Sequence, residues 1–174
     1  KATESKSIID VSQGSFGKES YKFSTQGSRG KTSYNVYYNK SLVGDTEDGE
    51  GKKWEGSTDM KTVGAKFKYD FDDKQSITVS YDDNNTSYSG EDIIYKGPYA
   101  GTYETQNFTF KHDYNISDQW SHSFTYRKND VKSNYEKPSE AYSSQSDYTY
   151  EFVSEQLRSD TATHDIVFGI DYSK

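Results

Sequence analysis

The chain contains 174 residues, of which 30% are hydrophobic, and it carries a formal net charge of −7 without any cysteine. The negative charge argues against nucleic acid as a partner, and the lack of cysteine excludes disulfide frameworks and thiolate chemistry. Aromatic residues nevertheless make up 16% of the chain, which favours β-strands over disorder. We therefore expect an all-β protein whose apolar residues are concentrated on one face of each strand.

Alternation of apolar and polar residues predicts nine strands in chain order. Their expected bounds are 7–14, 19–27, 31–41, 60–72, 76–84, 103–115, 119–130, 147–157 and 163–173. Most have about the 9–11 residues that a tilted strand needs to cross a bilayer, and no stretch approaches the ~20 apolar residues of a membrane helix. The predicted fold is an antiparallel transmembrane β-barrel meander, to which residues 1–174 contribute one partial barrel domain.

The connections between the predicted strands alternate in length. Short turns are expected near 27–30, 72–75, 115–118 and 158–162. Long loops rich in glycine, serine and acidic residues are expected at 42–59, 82–102 and 129–146. Short turns at one end of the strands and long loops at the other are typical of outer-membrane barrels, whose long loops are external.

Two predicted hairpins give the clearest assignment of faces. With a turn centred on Ser117, Phe110 pairs with Phe124, and the hairpin centred on Lys74 behaves in the same way. The residues expected to face lipid are Phe67, Tyr69, Val79, Phe110 and Phe124. Those expected to face the lumen are Lys66, Lys68, Thr78, Lys111 and Arg127. A soluble β-sandwich would show the same alternation and remains an alternative.

Four segments carry a resemblance to a known family. They read "SQGSFGKESYKFSTQGSRGKTSYNVYYNKS", "VGAKFKYDFDDKQSITVSYD", "NFTFKHDYNISDQWSHSFTYRK" and "HDIVFGIDYSK". In their order and spacing, these segments resemble the opening strands of the barrel in TonB-dependent outer-membrane receptors. The family's N-terminal plug domain and the later strands of its barrel of about 22 strands have no counterpart in this sequence.

The resemblance implies a function as well as a fold. It implies part of an outer-membrane receptor that takes up a scarce nutrient chelate, such as a ferric siderophore, haem or cobalamin. It further implies outer-membrane lipid, the chelate and the TonB complex as partners, the last through the absent plug, in a Gram-negative bacterium. A passive porin or a secretion barrel is the alternative within the membrane.

Aromatic residues in the predicted long loops are the candidate ligand contacts, because amphipathic rings suit flat chelates and the resemblance implies capture by such loops. They are Trp54, Tyr88, Tyr95, Tyr99, Tyr135 and Tyr142. Packing of the loops against one another would use the same residues and is the competing interpretation.

No catalytic, cofactor or metal site is predicted. The carboxylates of segment 45–56 lack a calcium-loop pattern, so a solvated acidic loop is expected, and the same holds for 82–92. His112 and His122 are expected to face each other across a hairpin as an interfacial pair, since two imidazoles without a third ligand make a poor metal site. No nucleophile elbow, phosphate loop or zinc-protease motif occurs, so we do not expect an enzyme.

Overall fold

The computed structural model describes residues 3–47, 51, 53–92, 97–161 and 163–174. The strands are β1 Thr3–Gln13, β2 Glu19–Arg29, β3 Thr32–Val43, β4 Thr46–Glu47, β5 Lys53–Trp54, β6 Gly56–Asp70, β7 Gln75–Asp92, β8 Gly97–Asn115, β9 Trp120–Lys137, β10 Tyr142–Asp160 and β11 Asp165–Ser173, with one 3-10 turn at Pro138–Glu140. None of the described segments is a helix long and apolar enough to span a membrane.

The described residues form one nine-stranded antiparallel sheet in the order β1-β2-β3-β6-β7-β8-β9-β10-β11. Each strand pairs with the next along the chain, apart from β4 and β5, which pair only with each other in the connection between β3 and β6. The sheet is open, with β1 and β11 as its two edges. The all-β antiparallel meander predicted from the alternation is therefore confirmed, including the four consecutive strands across residues 60–130.

Two of the three expected long loops are wrong, because most of their residues are strand. β7 continues to Asp92 and β8 begins at Gly97, so the expected loop 82–102 is largely a hairpin; β9 and β10 occupy most of 129–146 in the same way. The alternation of apolar residues ends near Tyr81 and Phe108, whereas the backbone pairing continues with polar residues on both faces. Strand prediction from apolar alternation therefore ends the strands too early.

The β8–β9 hairpin has the predicted faces in a different register. The Cα partner of Phe110 is Tyr126, two residues from the expected Phe124. The turn is closed by Ser117, whose Oγ accepts hydrogen bonds from the backbone nitrogens of Gln119 and Trp120 at 3.3 and 3.2 Å. Because the shift is two residues, every side chain keeps its face.

The β6–β7 hairpin differs from the prediction in the same way. Phe67 pairs with Val79 rather than with Tyr81. Asp72 fixes the turn, because its Oδ1 accepts hydrogen bonds from the backbone nitrogens of Lys74 and of the following residue, both at 2.8 Å. Such side-chain-to-backbone bonds choose among turns that the alternation alone leaves equivalent.

One face of the sheet carries a continuous band of apolar side chains, which we call the apolar belt. Its members are Ile9, Val11, Tyr21, Phe23, Tyr34, Val36, Tyr38, Val63, Ala65, Phe67, Tyr69, Ile77, Val79, Tyr81, Phe108, Phe110, Tyr114, Trp120, Phe124, Tyr126, Val153, Leu157, Ile166, Phe168, Ile170 and Tyr172, all on one face by their pairing. Many are well exposed, including Phe67 at 51%, Phe168 at 60% and Ile170 at 78%. No second layer of the described chain covers them.

The apolar belt runs obliquely across the strands. The paired row that contains Phe110 reaches Tyr172, at the upper edge of the belt in β11. In the other direction, the same row reaches Gly27 in β2, and this residue lies below the belt. In β1, the belt consists of Ile9 and Val11. The belt thus moves by about eight residues over the eight steps between strands, a slope of about 35° at about 3.3 Å per residue and about 4.8 Å per strand.

We call the opposite face of the sheet the polar face. It carries Lys66, Lys68, Thr78, Lys111 and Arg127, the set predicted to lie together opposite the belt. Of the nine buried residues in the described part of the chain, eight lie on this face, and Ser159 is the exception. The buried residues of the sheet are therefore concentrated on the polar face.

Candidate functional site

Four of the predicted ligand contacts form one row of rings on the polar face, which we call the tyrosine ladder. Its members are Tyr88 in β7, Tyr99 in β8, Tyr135 in β9 and Tyr142 in β10. Neighbouring ring centroids along the row are 6.4, 6.2 and 6.1 Å apart. The ladder therefore crosses four strands at the end of the sheet remote from the short turns.

The two other predicted ligand contacts are not assigned to the tyrosine ladder. Trp54 lies in β5, and its side chain is outside the described part of the structure. Tyr95 lies outside the described residues altogether. The expectation that all six residues occupy loops is wrong for the four described tyrosines, which stand on strands or at a strand end.

Glycines opposite the rings explain how the ladder packs. Gly101 is the Cα partner of both Tyr88 and Tyr135, and Gly90 is the partner of Tyr99. A Cβ at Gly101 would lie 2.5 Å from Cζ of Tyr88, and one at Gly90 would lie 2.8 Å from Cζ of Tyr99. The rings therefore lie over bare backbone, an arrangement in which an aromatic side chain covers a strand glycine.

A second aromatic row descends along β10 from the ladder. Tyr148, Tyr150 and Phe152 occupy alternate positions of β10 and so share the polar face. Tyr148 and Tyr150 are 52% and 46% exposed. The guanidinium carbon of Arg127 lies 5.8 Å from the centroid of the Phe152 ring, within the range of a cation–π contact.

The polar face also holds a contact that spans three strands. Tyr37 of β3 donates a hydrogen bond to the carboxylate of Asp82 in β7. Between them lies Gly64 of β6, where a Cβ would be 2.3 Å from Cζ of Tyr37 and 2.4 Å from Oδ1 of Asp82. Sequence reasoning missed this contact, because the three residues are related only through the register of two strand pairs.

Charged residues replace apolar ones where the belt ends. Lys128, the next belt-side residue of β9 after Tyr126, donates a hydrogen bond to Asp130 at 2.7 Å, and Thr149 donates to the same carboxylate at 2.5 Å. These hydrogen bonds hold the pKa of Asp130 below its usual value. The group is thus kept ionised just outside the belt, which sharpens the boundary between apolar and polar surface.

The two belt-side histidines form a ring pair. His112 and His122 have ring centroids 6.2 Å apart, although they are diagonal rather than direct partners in the register. His112 Nε2 lies 2.8 Å from the amide nitrogen of Gln75, and His122 Nε2 lies 3.2 Å from Oε1 of Glu155. No cluster of three or more histidines and carboxylates able to hold a metal occurs among the described residues.

The acidic segment before β6 is only partly described. Asp45 there uses Oδ1 to accept a hydrogen bond from the backbone nitrogen of Gly56 at 3.1 Å, so this carboxylate holds the connection against the start of the strand. Residues 48–50 lie outside the described residues. The expectation of a solvated acidic loop stays a prediction.

Comparison with known proteins gives little relationship beyond the sheet. No protein-family model matches the chain, and no curated protein matches it. Among solved structures, the chain is similar to the "CymD monoaromatic hydrocarbon channel", with a TM-score of 0.39 and 11% sequence identity. The similarity covers 99% of this chain and 65% of that one, so the chain spans about two thirds of the length of the channel.

The expected membership of the TonB-dependent receptors is wrong. No family model of that or any other kind matches, and a solved structure to which the chain is similar is a hydrocarbon channel rather than such a receptor. The motifs that carried the resemblance consist of apolar alternation, short turns and a glycine beside an aromatic residue. Any strongly twisted antiparallel sheet uses these features, so they indicate a kind of strand and not a family.

Proposed function

We propose that this chain forms part of the wall of a transmembrane β-barrel channel through which solutes pass passively down their gradients. The apolar belt faces lipid, and the polar face lines an aqueous lumen. The observation that carries the proposal is the belt itself, a continuous apolar band on a single sheet that no other described element covers.

A soluble β-sandwich would bury such a face beneath a second sheet. Nine of the described strands form one sheet, the short β4 and β5 pair only with each other, and belt residues such as Phe168 and Ile170 remain largely exposed. In water, an apolar patch of this extent would drive aggregation. In a bilayer the same patch contacts the apolar lipid tails, so its exposure carries no free-energy penalty. The bilayer is therefore the medium that best satisfies this surface.

The slope of the belt supports the same environment. Strands of transmembrane barrels incline by about 35–45° to the barrel axis, and a membrane plane drawn on such a barrel crosses the strands obliquely. The slope of about 35° obtained from the register corresponds to this inclination. A sheet that only covers a globular core does not need to keep its apolar residues at one height along a barrel axis.

Aromatic residues border the belt on both edges, as interfacial girdles do. At the edge nearest the short turns they are Tyr69, Tyr114 and Trp120, and at the other edge they are Tyr21, Tyr38, Tyr81, Tyr126 and Tyr172. Between the edges the belt is mainly aliphatic or phenylalanine. Outer membranes of Gram-negative bacteria are where barrels of this kind occur, so we place the chain there.

The passive alternative suits the polar face. Along β8, for example, this face presents Thr105, Asn107, Thr109 and Lys111, so water and small polar solutes meet hydroxyl, amide and charged groups throughout. Such a lining needs no energised step to admit solutes. The proposal assigns no catalytic role to any residue.

Reconstitution of the full-length protein that contains this chain tests the proposal. We expect proteoliposomes made without any energy source to swell in small neutral solutes such as glycerol, with liposomes containing heat-unfolded protein as the control. Detergent-free purification as a monodisperse soluble protein, together with impermeable proteoliposomes, would contradict the channel.

A further inference from the structure

We propose that the polar face binds aromatic monocarboxylates, with the ligand ring against Tyr148 and Tyr150 and its carboxylate on Arg127. The proposal rests on the channel function, since it names the class of solute that the lumen selects. It joins two features that lie side by side on the polar face: exposed rings on β10 and an exposed guanidinium on β9.

The rings of Tyr148 and Tyr150 remain available to a ligand in the folded sheet. On a strand, every second residue shares a face, so Tyr148 and Tyr150 follow each other along β10 above Phe152. Both tyrosines are about half exposed, and neither makes a ring contact or a side-chain hydrogen bond within the described residues. They are therefore free to stack on a planar ligand, which is worth about 0.5–1.5 kcal/mol beyond area burial for an aromatic pair.

The cation stands at the end of this row. Arg127 is the Cα partner of Phe152, and Tyr150 is two residues further along the strand, about 7 Å away at the usual rise per residue. A single-ring acid such as benzoate can thus place its ring against Tyr150 while its carboxylate reaches Arg127. Arginine suits this role because its planar fork holds both oxygens of a carboxylate.

The positive charge on Arg127 is not neutralised by the protein. Within the described residues, no carboxylate forms an ion pair with Arg127, whereas Lys111 on the neighbouring strand pairs with Asp113 at 2.8 Å. Lys66, in the same paired row of the polar face, also lacks a carboxylate partner among the described residues. Two unneutralised cations at one level of an otherwise acidic chain favour an anionic solute.

The two halves of the site predict separable losses. Arg127→Gln removes the carboxylate partner, so benzoate binding by the detergent-solubilised full-length protein should weaken about tenfold, while binding of uncharged benzyl alcohol stays unchanged. Tyr150→Leu should weaken both ligands. The matched control is Lys128→Gln, which removes the same charge from the next residue on the opposite face and should alter neither affinity.

Ligand-observed saturation-transfer NMR supplies the measurement, and heat-modifiable gel migration checks that each variant folds. Unchanged benzoate affinity in folded Arg127→Gln, or no saturable benzoate binding by the native protein, overturns the inference. If Arg127→Gln does not fold, Tyr150→Leu decides: equal binding of both ligands by that variant and the native protein likewise overturns it.

Permeation measurements distinguish a failure of this inference from a failure of the proposed channel function. Saturable benzoate binding in detergent with proteoliposomes that admit no solute would remove the channel and leave the binding site standing. Glycerol permeation with no benzoate binding would leave the channel standing and remove the site.

Discussion

Tyr37 shows how single residues hold the polar face together. Its ring lies over Gly64 in the neighbouring strand, and its hydroxyl donates to Asp82 in the strand beyond. Tyr88 and Tyr99 use Gly101 and Gly90 in the same manner at the end of the sheet. Each ring covers backbone that a glycine leaves bare, so these positions tolerate no added side chain without movement of a ring.

Gly64→Ala tests this packing. A Cβ there would lie 2.3 Å from the Tyr37 ring and would push it away from Asp82, so we expect a loss of about 1–3 kcal/mol in the free energy of unfolding. The measurement is urea-induced unfolding of the vesicle-inserted full-length protein, followed by tryptophan fluorescence.

Gly14→Ala is the matched control for that variant. The nearest atom to a Cβ at Gly14 is Cβ of Lys18 at 3.6 Å, an ordinary contact, and its φ is not positive. Unfolding midpoints that coincide for the two variants would show that the covering of Gly64 by Tyr37 contributes nothing.

At the scale of the strands, the sequence predicts the segments whose residues belong to the apolar belt and little beyond them. Phe67, Phe110 and Phe124 are assigned to their face by alternation alone, because a face that meets an apolar medium must be apolar at every second residue. The continuation of β7 to Asp92 leaves no such pattern, since both of its faces are polar there. Only pairing with neighbouring strands keeps that part extended.

The sequence singles out the tyrosines of the ladder, but it does not predict that their rings form one row. Their expected place in the long loops singles out Tyr88, Tyr99, Tyr135 and Tyr142, but the contacts between their rings depend on which residue each one faces on the neighbouring strand. That relation requires the register, and the register of β8 with β9 depends on a turn in which the Ser117 Oγ accepts a hydrogen bond from the backbone nitrogen of Trp120. An error of two residues leaves faces intact and still pairs each ring with the wrong partner.

Phe110→Arg tests the assignment of β8 to the bilayer. Phe110 lies inside the belt, between Phe108 and Tyr114, so an arginine there should lower the free energy of unfolding in vesicles by about 2–4 kcal/mol. Thr109→Arg, one residue away on the polar face, should cost far less because its side chain enters water. Equal losses for the two variants would show that β8 does not separate lipid from water.

For the molecule as a whole, the slope of the belt links register to environment. The belt stays at one height only if the strands are inclined by about 35°, and that inclination is what a barrel wall requires. Aromatic edges to the belt and a polar opposite face are expected of the same arrangement. The three features depend on different residues, so their agreement argues for a membrane wall more strongly than any one of them.

Site-directed spin labelling tests this central claim most directly. The chain contains no cysteine, so single cysteines at Phe67, Val79, Phe110 and Phe124, and at Lys66, Thr78, Lys111 and Arg127, give unique labelling sites within it. In vesicles of the full-length protein, we predict that the first four labels are relaxed mainly by oxygen and the second four mainly by a water-soluble nickel complex. A label at Lys132, on the belt side but above the belt, should follow the second group. Equal accessibility of the two sets to both relaxants would contradict a sheet with one face in lipid and the other in water.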